Sequence, residues 1–244
     1  MVMKKIFYLI ITLVFLTMFF PSCKIDNFPS PDAAFFGAIK DSIGNGLVET
    51  ELINGSAIEA FELGYATQVS QRWLIKNTGE FRNNLVFANT YDIYLRNANF
   101  FPYNVPGLKI NPGDNQRDFL VVPYIRIKNC TITLDKTTNK VVGTFSLEAG
   151  KPSVKLKSVR LYAFSDIYVG DNVKFSTAGT TFSQAFSPSK VIDSSTYTLS
   201  IDLTANAAMF PAGRNYYFRI GAMADVTGVG TVRTNYAPNV KITL

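Results

Sequence analysis

Cysteine and histidine set the limits on the chemistry that this chain can perform. Its 244 residues include two cysteines, Cys23 and Cys130, and no histidine. A Ser-His-Asp or Cys-His nucleophile is therefore excluded, and so is a zinc site built from Cys and His ligands. These two facts remove most metal and nucleophile chemistry and leave acid–base catalysis by carboxylates as the competing class.

Paired carboxylates could support acid–base catalysis. A glycosidase needs two carboxyl groups about 5 to 10 Å apart, one of them with a raised pKa. Glu59 with Glu62, and Asp166 with Asp171, are candidate pairs, but 18 acidic residues produce such pairs by chance. No acidic segment has the ligand density of a known calcium loop. We therefore predict a protein that is not an enzyme and has no catalytic residue, metal or cofactor.

Aromatic side chains indicate a different activity, the binding of an uncharged ligand. The chain has 20 Phe and 12 Tyr, while only 17% of its residues are charged. An exposed ring can stack on the C–H face of a sugar and supplies much contact area at low entropic cost. The predicted glycan-binding residues are Tyr65 and Trp73, which flank one turn, and Tyr168, Phe175, Phe182 and Phe186, in or near a long loop.

Each of these rings also has a purely structural interpretation. The strand around Trp73 is apolar on both faces, which favours a buried position. Phe100 and Phe101 are predicted to close one end of a domain. Tyr94 lies on the polar face of its strand and should face water, which by itself is unremarkable. The phenylalanines of the long loop either fold back onto the protein or meet a partner.

Short alternating segments must position the residues of the N-terminal half. Turn sequences separate them at 43–46, 77–80 and 111–114, and no stretch has a helical period. This pattern predicts an all-β sandwich of about seven strands over residues 33–122. The predicted strands are 35–41, 57–63, 69–76, 81–83, 91–95 and 118–122.

A second series of strands begins after Pro123, which cannot donate to a sheet ladder and so marks the domain junction. The alternation changes phase at Asn129, which predicts a β-bulge or a bend. About six or seven strands over residues 123–244 give the pattern of an immunoglobulin-like or fibronectin-like sandwich. Residues 164–188, rich in Ser, Thr, Gly and Phe, are predicted to form a long irregular loop.

The first 22 residues have the composition of a secretory signal peptide. Two lysines precede an apolar run over residues 6–20, shorter than the roughly 20 residues that span a bilayer. Cys23 follows where the cleavage site is expected, as in a bacterial lipoprotein signal whose cysteine is lipidated. The alternative is an ordinary signal peptide cut near Ser22. A lipidated Cys23 would leave Cys130 without a disulfide partner.

Residues 23–32 are predicted to be an extended linker because Pro29 and Pro31 exclude helix. The net charge of the chain is +6, with no cluster of Lys or Arg along the sequence. Nucleic acid is therefore not predicted as a partner. The predicted organisation is a signal peptide over 1–22, the linker, and two domains over 33–122 and 123–244.

Six segments carry a family resemblance, and they cover most of the chain after residue 22. They read CKIDNF, KNTGEFRNNLVFANTYDIY, NFFPYNV, DFLVVPYIRIKN, YYFRIGAMADV and NYAPNVKITL. They resemble a two-domain family of Bacteroidota outer-membrane lipoproteins, known mostly from polysaccharide-utilisation gene clusters and described only as domains of unknown function. The resemblance implies a prealbumin-like or carboxypeptidase-regulatory-like sandwich followed by a fibronectin-like one.

The resemblance also implies a location and partners. It predicts a lipid-anchored protein of the outer membrane, exposed at the cell surface beside a Sus-like porin and its lid. We predict a non-catalytic lipoprotein that binds an oligo- or polysaccharide or assists its uptake. The alternative is a structural or docking subunit of an outer-membrane uptake complex with no ligand of its own. In either case only the lipid on Cys23 would contact the membrane.

Overall fold

A computed structural model describes residues 29–244 of the chain. The predicted signal peptide and Cys23 lie outside the described residues. Residues 31–244 form one compact unit. Every regular element in this part of the chain is a β-strand, so the predicted all-β class is confirmed. None of these residues belongs to a helix with the length and apolar character needed to cross a membrane.

The N-terminal domain is a sandwich of two four-stranded sheets. One sheet has the order β4-β1-β7, with β8 parallel to the far end of β1, and the other has the order β3-β2-β5-β6. The strands are β1 (Ala33–Asp41), β2 (Ala57–Glu62), β3 (Ser70–Leu74), β4 (Glu80–Val86), β5 (Thr90–Leu95), β6 (Tyr103–Lys109), β7 (Gly113–Gln116) and β8 (Phe119–Val121).

Period-two alternation decides which side chains fill the core between these sheets. In β5, Tyr91, Ile93 and Leu95 are fully buried, while the intervening Asp92 and Tyr94 remain partly exposed. Side chains that alternate along a strand point to opposite faces, so the apolar set faces the other sheet. The opposite face of β5 is therefore partly exposed.

The C-terminal domain is a second sandwich, of a three-stranded and a five-stranded sheet. The first has the order β13-β10-β9, and the second the order β12-β11-β14-β15, with β16 also on β14. The strands are β9 (Ile125–Asp135), β10 (Lys140–Ala149), β11 (Lys155–Phe164), β12 (Ser183–Val191), β13 (Thr196–Asp202), β14 (Asn215–Asp225), β15 (Asn235–Tyr236) and β16 (Val240–Thr243).

The bulge predicted at Asn129 is confirmed. The pairing of β9 with β10 shifts between Thr144 and Ser146, whose partners are Thr131 and Lys128. The backbone of Asn129 has φ of 51°. Asn tolerates this left-handed conformation better than most residues because its short polar side chain can bond locally.

The predicted loop over 164–188 is wrong in its last six residues. Residues 183–191 form β12, which pairs with β11, so the irregular segment covers only residues 165–182. The strands β6 and β7 were not predicted either. The segment that contains β6 includes Pro106 and Gly107, residues that usually argue against a strand.

A buried arginine, Arg219 on β14, joins the two domains. It is fully buried, and all five of its N–H groups are donated. Two of the acceptor carbonyls belong to the N-terminal domain and two to the C-terminal domain. The acceptors are a carboxylate oxygen of Glu49 and the backbone oxygens of Thr50, Asn77, Val169 and Ala237.

Burial dominates the electrostatics of this pair. It raises the pKa of the Glu49 carboxyl, and the charge of Arg219 offsets only part of that effect. Burial likewise lowers the pKa of Arg219, again with partial compensation from Glu49. Each charge is therefore tolerated only because the other is present.

Buried asparagines add neutral links between the domains. Asn99, from the N-terminal domain, donates to the backbone oxygen of Thr234 at 3.2 Å. Asn235 donates to the backbone oxygen of Asn99 at 2.7 Å, and its own side-chain oxygen accepts from the N–H of Ile125. Since these groups are buried, each bond satisfies an atom that would otherwise be costly to desolvate.

Candidate functional site

Two of the predicted glycan-binding rings are buried. Trp73 is only 5% exposed, and its ring packs against those of Phe35 and Tyr91, each at a centroid distance of 5.6 Å. Phe182 is 9% exposed and packs beneath the guanidinium of Arg160. A ring in either position cannot stack on a ligand, which corrects the prediction for these two residues.

Two more predicted rings fold back onto the C-terminal domain. Phe175 packs against Phe164 and Phe210, with centroids 5.1 and 5.4 Å apart. Phe186 lies at the edge of Tyr197. Both are half-buried against the core of that domain, so their faces are already occupied by protein.

The remaining two predicted rings, Tyr65 and Tyr168, are exposed, at 61% and 45%. Tyr65 lies in the connection from β2 to β3 of the N-terminal domain. Tyr168 lies in the connection from β11 to β12 of the C-terminal domain. The six predicted residues therefore do not form one site.

A better-built site lies on the outer face of the β3-β2-β5-β6 sheet. Strand register places Arg72, Glu59, Tyr94 and Asn104 in one row, each directly opposite the next. Neighbouring strands are about 4.8 Å apart, so this row crosses the sheet over about 14 Å. Their neighbours along each strand, such as Ile58 and Ile93, point into the core.

The ring of Tyr94 is held in place from two sides. Phe61 meets it edge-on, at a centroid distance of 5.5 Å and an interplanar angle of 87°. The guanidinium of Arg96 lies 5.1 Å from its centroid. Both contacts are of favourable types, T-shaped aromatic and cation–π. The ring is therefore oriented before any ligand arrives.

Arg96 is itself held by Glu59. Its Nε and one terminal nitrogen lie 2.8 and 2.7 Å from Glu59 Oε2. The hydrogen bond with Glu59 raises the pKa of Arg96 above its ordinary value. Arg96 is thus a fixed cation over the Tyr94 ring.

A loop of the C-terminal domain, residues 228–231 between β14 and β15, borders this face. The backbone N–H of Thr231 donates to the side-chain oxygen of Asn97 at 2.9 Å. Gly230 approaches so closely that a Cβ atom there would lie 2.6 Å from the same oxygen, and its φ is 80°. Only glycine fits this position without displacing the loop.

Three neighbouring hollows lie on this surface, and Arg96 lines all of them. The largest, about 440 Å³, lies between Tyr94, Asn104 and the loop 228–231. A second, about 220 Å³, lies between Phe61, Gln68 and Tyr94. A third, about 200 Å³, lies beside Glu59. We call this surface the Tyr94 face and define it by Glu59, Phe61, Gln68, Arg72, Tyr94, Arg96, Asn97, Asn104 and residues 228–233.

The candidate carboxylate pairs are used structurally. Glu59 faces outward, whereas Glu62 is buried and accepts N–H groups of Asn89 and Gln71, so the two lie on opposite faces of β2. Asp166 accepts the backbone N–H of Tyr168.

The other member of the second pair, Asp171, accepts the hydroxyl of Tyr162 and contacts Lys174. Within residues 29–244, no three acidic or cysteine side chains cluster as a metal would require.

A separate cleft of about 300 Å³ lies between the connection from β1 to β2 and the start of β9. Its main polar groups are already paired, because Arg126 donates to both carboxylate oxygens of Asp41. Burial would raise the pKa of Asp41, but the hydrogen bonds from Arg126 and Ile43 and the charge of Arg126 outweigh it, so the pKa lies below its ordinary value. Its aromatic lining residue, Tyr236, is buried. This cleft is a weaker candidate.

Most residues of the Tyr94 face could not be chosen from the sequence. Tyr94 carried a signal, since it alternates with Asp92 and Arg96 on the polar side of a strand. Glu59, Arg72 and Asn104 carried none, because their alignment with Tyr94 depends on strand register. The contribution of the 228–231 loop depends on how the domains pack.

Family profiles match both domains of the chain. Residues 37–122 match the profile described as the N-terminal domain of a protein of unknown function, DUF3823. Residues 125–241 match the profile described as a domain of unknown function, DUF3823_C. The chain belongs to the DUF3823 family. The predicted resemblance to a two-domain family of unknown function is thereby confirmed.

Solved structures extend this assignment. The DUF3823 chain is 52% identical to a Bacteroides uniformis ATCC 8492 protein described as "a putative carbohydrate binding protein". The match covers 88% of this chain and all of that one, with a TM-score of 0.84. No curated protein sequence matches the chain.

More distant DUF3823 proteins share the fold. One from Parabacteroides merdae ATCC 43184 is 18% identical, with 88% of this chain and all of that one covered and a TM-score of 0.68. One from Bacteroides ovatus ATCC 8483 is 17% identical, with 87% and 99% covered and the same TM-score. The two-sandwich architecture is therefore common to DUF3823 chains of very different sequence.

Proposed function

We propose that this protein is a non-catalytic glycan-binding protein and that the Tyr94 face is its binding surface. One observation carries the proposal: a partly exposed, pre-oriented ring in a row of polar side chains, bordered by three hollows. The description of the Bacteroides uniformis relative as "a putative carbohydrate binding protein" supports the same ligand class.

Each residue of the surface has a role in this proposal. The Tyr94 ring stacks on the C–H face of a sugar, and its edge-on contact with Phe61 keeps it from rotating away. The side-chain amides of Asn104 and Gln68 hydrogen-bond to sugar hydroxyls. Arg96, fixed by Glu59, donates its remaining N–H groups. Because Tyr94 and Arg96 are held in place before binding, little of their conformational entropy is lost.

We expect Tyr94→Ala to weaken glycan binding at least tenfold, since a stacked ring in a pre-formed site contributes more than about 1.4 kcal/mol. Affinity gel electrophoresis of residues 24–244 on a polysaccharide panel measures the loss. Tyr168→Ala is the matched control, because that ring is also exposed but lies in the other domain. If Tyr168→Ala loses binding and Tyr94→Ala keeps it, the site belongs in the 165–182 segment instead.

The same panel separates the alternatives. A protein retarded by no polysaccharide would favour the structural or docking subunit of an uptake complex. Reducing sugar released from a bound glycan would contradict the absence of catalysis.

The lipid anchor is a further part of the proposal. It rests on the signal-like first 22 residues and on Cys23 directly after them. Two or more acyl chains hold a protein durably on a membrane, whereas one does so only marginally. The family resemblance supports the outer membrane as its location and a Sus-like porin and lid as partners.

We expect Cys23→Ala, expressed in a Bacteroidota host, to move the protein from the membrane fraction to the soluble fraction without loss of fold. Labelled palmitate should enter the wild-type protein and not the variant. Cys130→Ala serves as the control, since it should retain both label and location. Label that persists in Cys23→Ala would rule out lipidation at this residue.

A further inference from the structure

The third hollow of the Tyr94 face is strongly basic. Three arginines, Arg72, Arg96 and Arg233, line it together with a single carboxylate, that of Glu59. They come from β3, from the residue after β5 and from the segment before β15. The fold therefore gathers in one hollow of about 200 Å³ cations that are far apart in the sequence.

Only one of the three positive charges is compensated. Glu59 pairs with Arg96 at 2.7 Å. Arg72 donates to the backbone oxygen of Gly55, and Arg233 to that of Asn97, each at 3.4 Å. A neutral carbonyl at that distance satisfies a single N–H and cancels no charge. Among the residues that line the hollow, the balance is two positive charges in excess.

We infer that this hollow receives the anionic group of an acidic sugar, a carboxylate or a sulfate ester, on a glycan bound to the Tyr94 face. The inference rests on the proposed function and specifies its ligand. Guanidinium groups suit this purpose because their planar fork of N–H donors matches two oxygens of a carboxylate or sulfate. Arg96 connects the two parts, since it touches the Tyr94 ring and also lines the hollow.

Glu59 does not oppose this assignment. Its carboxylate is directed at Arg96 and also lies 3.5 Å from the side-chain nitrogen of Asn97. It therefore holds one cation in place, while Arg72 and Arg233 have no carboxylate partner among the described residues. The low fraction of charged residues in the whole chain favoured an uncharged ligand, but the excess positive charge of this hollow favours an anionic one.

Chemically matched polysaccharides test the inference. De-esterified and fully methyl-esterified homogalacturonan share one backbone and differ only in free carboxylates. Carrageenan and its chemically desulfated form likewise share one galactan backbone and differ only in sulfate esters. We expect the wild-type protein to bind at least one anionic member about tenfold more tightly than its neutral counterpart, and the preferred pair identifies the carboxylate or the sulfate.

Arg72→Gln and Arg233→Gln should each remove most of that preference, measured in the same variant as the ratio of its affinities for the anionic and the neutral member. Lys136→Gln, which removes the same charge from the exposed turn between β9 and β10, is the control for non-specific attraction. The inference fails if the anionic members bind no better than the neutral ones, or if Lys136→Gln has the same effect. Neutral binding that depends on Tyr94 would then still support the proposed function, whereas no binding to any glycan would contradict both.

Discussion

We expect Arg219→Ala to lower the free energy of unfolding by about 3 to 5 kcal/mol. The substitution removes five donated hydrogen bonds at once and leaves the Glu49 carboxylate and four backbone carbonyls without their donor. Urea unfolding of residues 24–244, followed by tryptophan fluorescence, measures the change. Arg214→Ala, directly before β14, is the control. Because Arg214 is exposed, its loss should change the free energy of unfolding by less than about 0.5 kcal/mol.

The pH dependence of this deficit identifies its cause. Without Arg219, the pKa of Glu49 should rise further, because the charge that partly offsets burial is gone. A carboxyl group whose pKa is higher in the folded than in the unfolded state stabilises the folded state when it is protonated. The variant should therefore recover stability as the pH falls from about 8 towards 5. A deficit that is constant over this range would indicate lost packing rather than an unpaired buried charge.

We expect Trp73→Ala to destabilise the N-terminal domain by about 3 to 5 kcal/mol, the usual cost of deleting a large aromatic from a core. Its ring contacts Phe35 of one sheet and Tyr91 of the other. Movement of a single sheet therefore cannot close the cavity that the substitution creates. Because the variant lacks the only tryptophan, circular dichroism should follow its unfolding.

Tyr65→Ala is the matched control for Trp73→Ala. Tyr65 is 61% exposed, so its loss should change the free energy of unfolding by less than about 0.5 kcal/mol. A Trp73→Ala protein as stable as wild type, but deficient in glycan binding, would instead return Trp73 to the binding surface.

Much of the fold could be predicted from local pattern. The alternation through β5 and the phase change at Asn129 each specify which side chains are buried, and both agree with the structure. Strand β12 could not be found in this way, because its nine residues have an irregular burial pattern and include Pro188. Its place is determined by pairing with β11, a tertiary interaction that no local pattern encodes.

The candidate site was less accessible to sequence reasoning. Aromatic residues were selected by type, yet burial depends on which face of a strand each occupies and on how the loop 165–182 folds back. Arg219 illustrates a related difficulty, because a charge between Phe218 and Ile220 reads as an interruption of a core strand. It is instead the centre of the domain interface, where five acceptors from both domains meet it.

Residues 228–231 belong to the C-terminal domain but border the Tyr94 face, and this limits how the protein can evolve by exchange of domains. A recombination event that exchanged either sandwich alone would separate Gly230 from Asn97 and Arg233 from Arg72. Such a chimera would also separate Arg219 from Glu49, so it would lose both a domain contact and part of the proposed binding surface. If the proposed binding is under selection, selection acts on both sandwiches as one heritable unit, and a library of isolated domains would not contain the complete surface.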